Sequence, residues 1–137
     1  MSTSTSERHH DATHNAVMDV LEHIVDPCSA AAGAPTGLVS LGLVRDVRVE
    51  GPADAARVDV TLCITEPGCL MGGVFKTTAE RELAELPGVA SVSVEMDHGH
   101  IWDPGDMAPA YRERLARVRA MRVEHMKRRA SRRPPGE

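Results

Sequence analysis

Cys69 lies in the run Thr65 to Gly73 (TEPGCLMGG), whose proline and glycines mark a loop between a strand-like and a helix-like segment. Free backbone N–H groups and the positive end of a helix dipole favour a thiolate at such a place. The thiolate is the form that binds metal or attacks an electrophile. Position alone leaves a buried structural cysteine equally open.

Two further cysteines could join it. Cys63, six residues earlier, makes a C-x5-C pair with Cys69, which is not a recognised zinc spacing. It is expected on the polar face of a strand, where packing competes with metal binding. Cys28 follows Asp26-Pro27 and could approach the Cys69 loop only through the fold. Thiolates joined by a histidine or carboxylate could hold iron, zinc or a cluster edge. His98-x-His100, with Asp97 before it and Asp103 after, is a second ligand group. Residues two apart on a strand point to one side, but Gly99 is expected to break the strand, and solvated imidazoles are the competing reading. The candidate metal set is thus Cys69, Cys28, Cys63, His98 and His100, whereas His9, His10 and His14 read as solvated side chains of a polar terminus.

Several chemistries are excluded. The chain has no phosphate-binding Gly-Lys-Ser/Thr loop, dinucleotide fingerprint or Gly-x-Ser-x-Gly elbow, so no self-contained enzyme site is visible. Aromatics make up 2% of the chain, too few for a base-stacking platform. Residues 1–111 carry 6 Lys/Arg against 17 Asp/Glu, a net of −11, and residues 112–137 carry 10 against 3, a net of +7. The acidic body repels nucleic acid. The basic end either docks on a partner, folds back on the body, or merely solvates a helix. Without a signal-like segment or an apolar run near the ~20 residues a membrane span needs, cytoplasmic residence is expected. Three cysteines, an odd number, do not suggest a disulfide framework in a reducing compartment.

The elements that must position these groups follow from periodicity. Residues 1–12 are expected to be a disordered tail, 13–121 one domain and 122–137 a basic tail. Val17, Val20, Leu21 and Ile24 predict a helix over about 13–25, ended by Asp26-Pro27. A small-residue loop, 28–37, leads to a strand with Val47 and Val49 on one face. Val58, Val60, Leu62 and Ile64 alternate with polar residues and predict the clearest strand. Phe75, Ala79, Leu83 and Leu86 form the stripe of a helix over about 74–86, and a third strand, 89–96, should bury Ala90, Val92, Val94 and Met96. A last helix begins near Met107-Ala108-Pro109. The order α-β-β-α-β-α gives a small mixed three-stranded sheet with helices on one face, a two-layer α+β sandwich.

From about Val17 to Leu115 the chain resembles the PaaD/SufT-type metal–sulfur cluster assembly factor family. The carriers are Asp26-Pro27, Leu41-Gly42-Leu43-Val44, the run Thr61 to Cys69 (TLCITEPGC), Pro87-Gly88-Val89, and Trp102-x-Pro104 leading to Met107. The resemblance implies an iron–sulfur cluster assembly domain, a non-enzymatic role in maturing iron–sulfur proteins or oxygenase metal centres, and importance for Cys69. The implied cargo is a transient iron–sulfur cluster or iron. The implied partners are a client apo-metalloprotein or oxygenase component and cluster scaffold proteins, with room for a homodimer and without nucleic acid or membrane. A metal-free adaptor for a multicomponent oxygenase and a thiol enzyme with Cys69 as nucleophile are the alternatives.

The departures matter too. The family's Glu soon after Asp-Pro is missing, Cys28 follows Pro27, and the linker onward is about five residues longer than usual. Leu70 replaces a proline, and His98-Gly99-His100-Ile101 replaces an aromatic-proline stretch. These changes point to a site richer in thiol and imidazole, with Cys28 as a second soft ligand.

Overall fold

The computed structural model describes residues 4–65 and 71–132. Helices α1 (Ser4–His23) and α2 (Pro27–Ala31) precede strands β1 (Val44–Glu50) and β2 (Ala56–Leu62). Helix α3 (Met71–Ala84), strand β3 (Val89–Met96), a 3-10 turn at Pro104–Asp106 and helix α4 (Pro109–Ser131) follow.

The alternation in β2 decides the architecture. Ala56, Val58, Val60 and Leu62 are buried, while Arg57, Asp59 and Thr61 take the other face. β2 is the central strand, antiparallel to β1 and parallel to β3. A parallel neighbour requires a crossover, and α3 supplies it. Its stripe Phe75, Ala79 and Leu83 joins Val17 and Leu21 of α1 over the buried sheet face. The opposite face is polar and has no layer over it among the described residues, leaving a depression of about 290 Å³ lined by Asp46, Arg48, Asp59, Ser93 and Glu95 among others. This is the expected two-layer α+β sandwich. No described helix is long and apolar enough to cross a membrane.

Four details differ from expectation. α1 starts at Ser4 rather than near residue 13, so the stretch expected to be a disordered tail is helical from there. Residues 4–12 lack an apolar stripe, which hid the helix, and the His10 imidazole pairs with the Gly51 carbonyl of the β1–β2 turn at 2.8 Å. The segment expected as a loop opens with α2. α4 is likewise helical to Ser131, through most of the expected basic tail. Lastly, Ala90 is exposed. Ala56 pairs with Val89 but Arg57 pairs with Ser91, so Ala90 is the extra residue of a β-bulge. Val94 alone of the expected β3 face is fully buried, with Val92 and Met96 half-buried.

The segment between α2 and β1 is pinned by close approach. Gly42 has φ 82°, and a Cβ there would collide with the Asp106 backbone. Leu41 and Leu43, on either side, are buried. Glycine thus lets the Leu41–Leu43 run lie directly against the 3-10 turn. The Ala108 N–H bonding to the Ser40 carbonyl at 2.9 Å closes the same contact.

Candidate functional site

Asp-Pro-x-Ser builds the first wall of the site. Asp26, 7% exposed, caps α2: its carboxylate accepts the Ser29 N–H at 2.9 Å, and Pro27 sits where a helix tolerates a missing N–H. The Ser29 hydroxyl donates to the Asp26 carbonyl at 2.6 Å and accepts the Thr36 N–H at 3.0 Å. The Asp26 N–H bonds to the Thr36 carbonyl at 3.0 Å, closing residues 26–36 into one ordered lobe. Cys28 projects from this lobe and is exposed.

α4 supplies the second wall. Tyr111 is buried and donates its hydroxyl proton to the Ala34 carbonyl at 2.9 Å. Burial pushes its pKa up, which keeps the phenol a neutral donor. The Arg114 guanidinium bonds to the Pro35 carbonyl and packs 5.5 Å from the Tyr111 ring centre. Between the two walls lies a cleft of about 360 Å³ lined by Asp26, Cys28, Thr65, Trp102, Met107 and Arg119, among others.

A second cleft, about 190 Å³, holds Asp97, His98, His100 and Ile101. Thr65 and Trp102 line both clefts. Trp102 is thus common to the cleft that holds the exposed Cys28 and to the cleft that holds the imidazoles.

His98 is exposed, whereas the Nε2 of His100 lies 2.9 Å from a carboxylate oxygen of Asp106. That carboxylate also accepts the Asp103 N–H at 3.0 Å and faces Arg45 at 3.5 Å. The His100 hydrogen bond, then the Asp103 N–H, hold the Asp106 pKa below the ordinary carboxylate value. Asp103 in turn accepts the Gly105 N–H at 2.6 Å, completing a reciprocal capping box on the 3-10 turn. His100 is thus engaged in fastening the turn.

Cys63 lies in the core, not on the polar strand face. β2 ends at Leu62, and the Cys63 N–H turns to the Leu43 carbonyl at 2.8 Å, so the strict alternation no longer sets its side chain. It is 1% exposed, and its sulfur is 3.7 Å from the Gly42 carbonyl oxygen. Burial raises its pKa, which leaves a protonated thiol at neutral pH.

Cys69 lies outside the described residues. Thr65, four positions before it, lines both clefts. Among the described residues, no group of three or more His, Cys, Asp and Glu side chains could hold a metal ion. The structure therefore brings Cys28 and Thr65 to one cleft and His98 and His100 to the next, and it sets Cys63 apart from both. Sequence reasoning missed Asp26 and Ser29 as a capped lobe and Asp106 as the partner of His100. Asp26-Pro27-x-Ser29 and Asp103-Pro104-x-Asp106 both carried a capping signal.

The family model described as iron–sulfur cluster assembly protein matches residues 14–95. No curated protein matches the chain. Its fold is similar to that of a domain of unknown function, DUF59, from Bacillus anthracis, with a TM-score of 0.66 and 25% identity over 80% of this chain and 97% of that one. A conserved hypothetical protein from Thermotoga maritima is similar with a TM-score of 0.55 and 29% identity, over 72% of this chain and 89% of that one. With more than half of its length matched by the family model, the chain belongs to the iron–sulfur cluster assembly protein family.

Proposed function

We propose that, within the iron–sulfur cluster assembly role of its family, this protein carries a cluster or iron to a client apoprotein through Cys69 and Cys28. The observation that carries the reading is the cleft shared by exposed Cys28 and by Thr65, four residues before Cys69. The cluster is cargo. Binding it costs each thiol its proton, because the thiolate is the ligand. On transfer, a client thiolate forms a new Fe–S bond as a factor thiolate leaves and takes up a proton, with no change of oxidation state. Exposed, exchangeable ligands suit that step better than a buried cage. Cys63, protonated in the core, is assigned to packing, and His100 to its Asp106 bond. In this reading the protein is a carrier that catalyses no reaction of its own.

The test is anaerobic reconstitution with iron and sulfide, followed by transfer to an apo-ferredoxin as acceptor. The wild-type protein should hold iron and sulfide with a charge-transfer absorption band, and Cys69→Ala should lose both cargo and transfer. Cys28→Ala should weaken retention. If the protein holds no iron and Cys69→Ala activates the acceptor as well as wild type, the reading is wrong and the metal-free adaptor takes its place. A Cys69-dependent turnover of an electrophilic substrate would instead favour the thiol enzyme.

A further inference from the structure

α4 outruns the body that supports it. Its early turns are anchored by Tyr111 and Leu115, both buried. The last support is at Arg122, whose guanidinium lies over Gly33 and 3.5 Å from the Ala31 carbonyl. Residues 123–131 are all exposed. At about 1.5 Å per residue, that is about 14 Å of helix with no cover among the described residues.

This overhang is not merely charged. Met121 is 65% exposed, Val123 51% and Met126 68%. Met121, Met126, Val118 and His125 form a groove of about 460 Å³ beside Gly33 and Arg122. The exposed Lys127, Arg128, Arg129 and Arg132 follow it in sequence, and Arg128 lies 3.8 Å from Glu124.

We propose that the C-terminal half of α4 docks an acidic amphipathic helix of a protein partner. Charge complementarity selects the sign: the segment is strongly basic, and a partner carrying Glu and Asp loses least by meeting it. The methionines select a protein. Apolar side chains at helical spacing take up the stripe of a second helix, and Met adapts to irregular partners. A nucleic acid would use the arginines but leave the exposed Met121 and Met126 unpaired. A membrane surface fits less well. Arg122 and Arg129 fall on the same face as the methionines, and the segment has no Trp, Phe or Leu to insert. The docking does not depend on cluster chemistry, so it survives Cys69→Ala even if the cargo reading fails.

The test uses the full chain and fluorescence anisotropy. The probe is a labelled synthetic peptide of Leu and Glu in amphipathic helical order. Comparators are a scrambled peptide of the same composition, a short DNA duplex, and vesicles containing phosphatidylserine. The ordered peptide should bind, weaken with salt, and outcompete the scrambled one by about tenfold. Met121→Ser with Met126→Ser, and separately Lys127→Glu with Arg128→Glu, should each weaken binding about tenfold. All four side chains are exposed, so circular dichroism should show the helix content intact. Equal binding of the scrambled peptide overturns the proposal, as does tighter binding of DNA or vesicles. A salt-sensitive dimer in sedimentation, lost in the same variants, also overturns it by making a second copy the occupant.

Discussion

The indole N–H of Trp102 donates to the Leu41 carbonyl at 2.8 Å, joining positions 61 residues apart. That bond fixes Trp102, a residue that lines both the Cys28 cleft and the His98/His100 cleft. Cys28 and the pair His98 and His100 thereby lie in two clefts that share Trp102 and Thr65 in their lining. Leu41 is itself buried and held against the 3-10 turn through Gly42, which ties Trp102 to the core.

Trp102→Phe keeps an aromatic surface but removes the donor, leaving the Leu41 carbonyl short of a partner. A net loss of about 1 kcal/mol is expected. Urea unfolding measures it; an unshifted midpoint would show that the bond contributes nothing to stability.

Asp26→Ala removes a cap whose carboxylate is almost fully buried. The loss should be about 1–2 kcal/mol, whereas Asp26→Asn should retain most of the stability because an amide oxygen still accepts the Ser29 N–H. Ser29→Ala should weaken the same lobe through its bonds to Asp26 and Thr36. If Asp26→Asn proves as damaging as Asp26→Ala, the cap is not the reason for the burial.

Acid should loosen the 3-10 turn through Asp106. Its folded-state pKa is held below the ordinary carboxylate value, so between the two values the unfolded chain binds more protons than the folded one. The stabilisation is present above the unfolded value and is lost as pH falls through the folded one. Asp106→Asn should flatten this part of the stability–pH curve. Melting temperatures measured from pH 6 downward would refute the assignment if wild type and variant ran parallel.

Thiol labelling should separate the cysteines by burial. At neutral pH, iodoacetamide should modify Cys28 readily and Cys63 only after unfolding, since Cys63 is in the core with its pKa raised by desolvation. Peptide mass spectrometry after timed labelling reads each site. Equal rates at Cys28 and Cys63 would contradict the buried placement.

Sequence alone determined the sheet and its buried face, because alternation in β2 and the stripe of α3 are local patterns with one physical outcome. It also determined the family, through Asp26-Pro27, the Leu41–Val44 run and the residues around Cys69. It could not see that α1 begins at Ser4, because residues 4–12 have no apolar period to reveal their helix. Nor could it see the bulge that turns Ala90 outward, since register depends on the neighbouring strand. Tertiary structure alone decided that Cys63 is core and Cys28 is open. It also paired His100 with Asp106 and set Trp102 in the lining of both clefts. These are contacts between distant segments, set by how the lobe at residues 26–36, the Leu41–Leu43 run and the 3-10 turn pack together. No spacing along the chain encodes them.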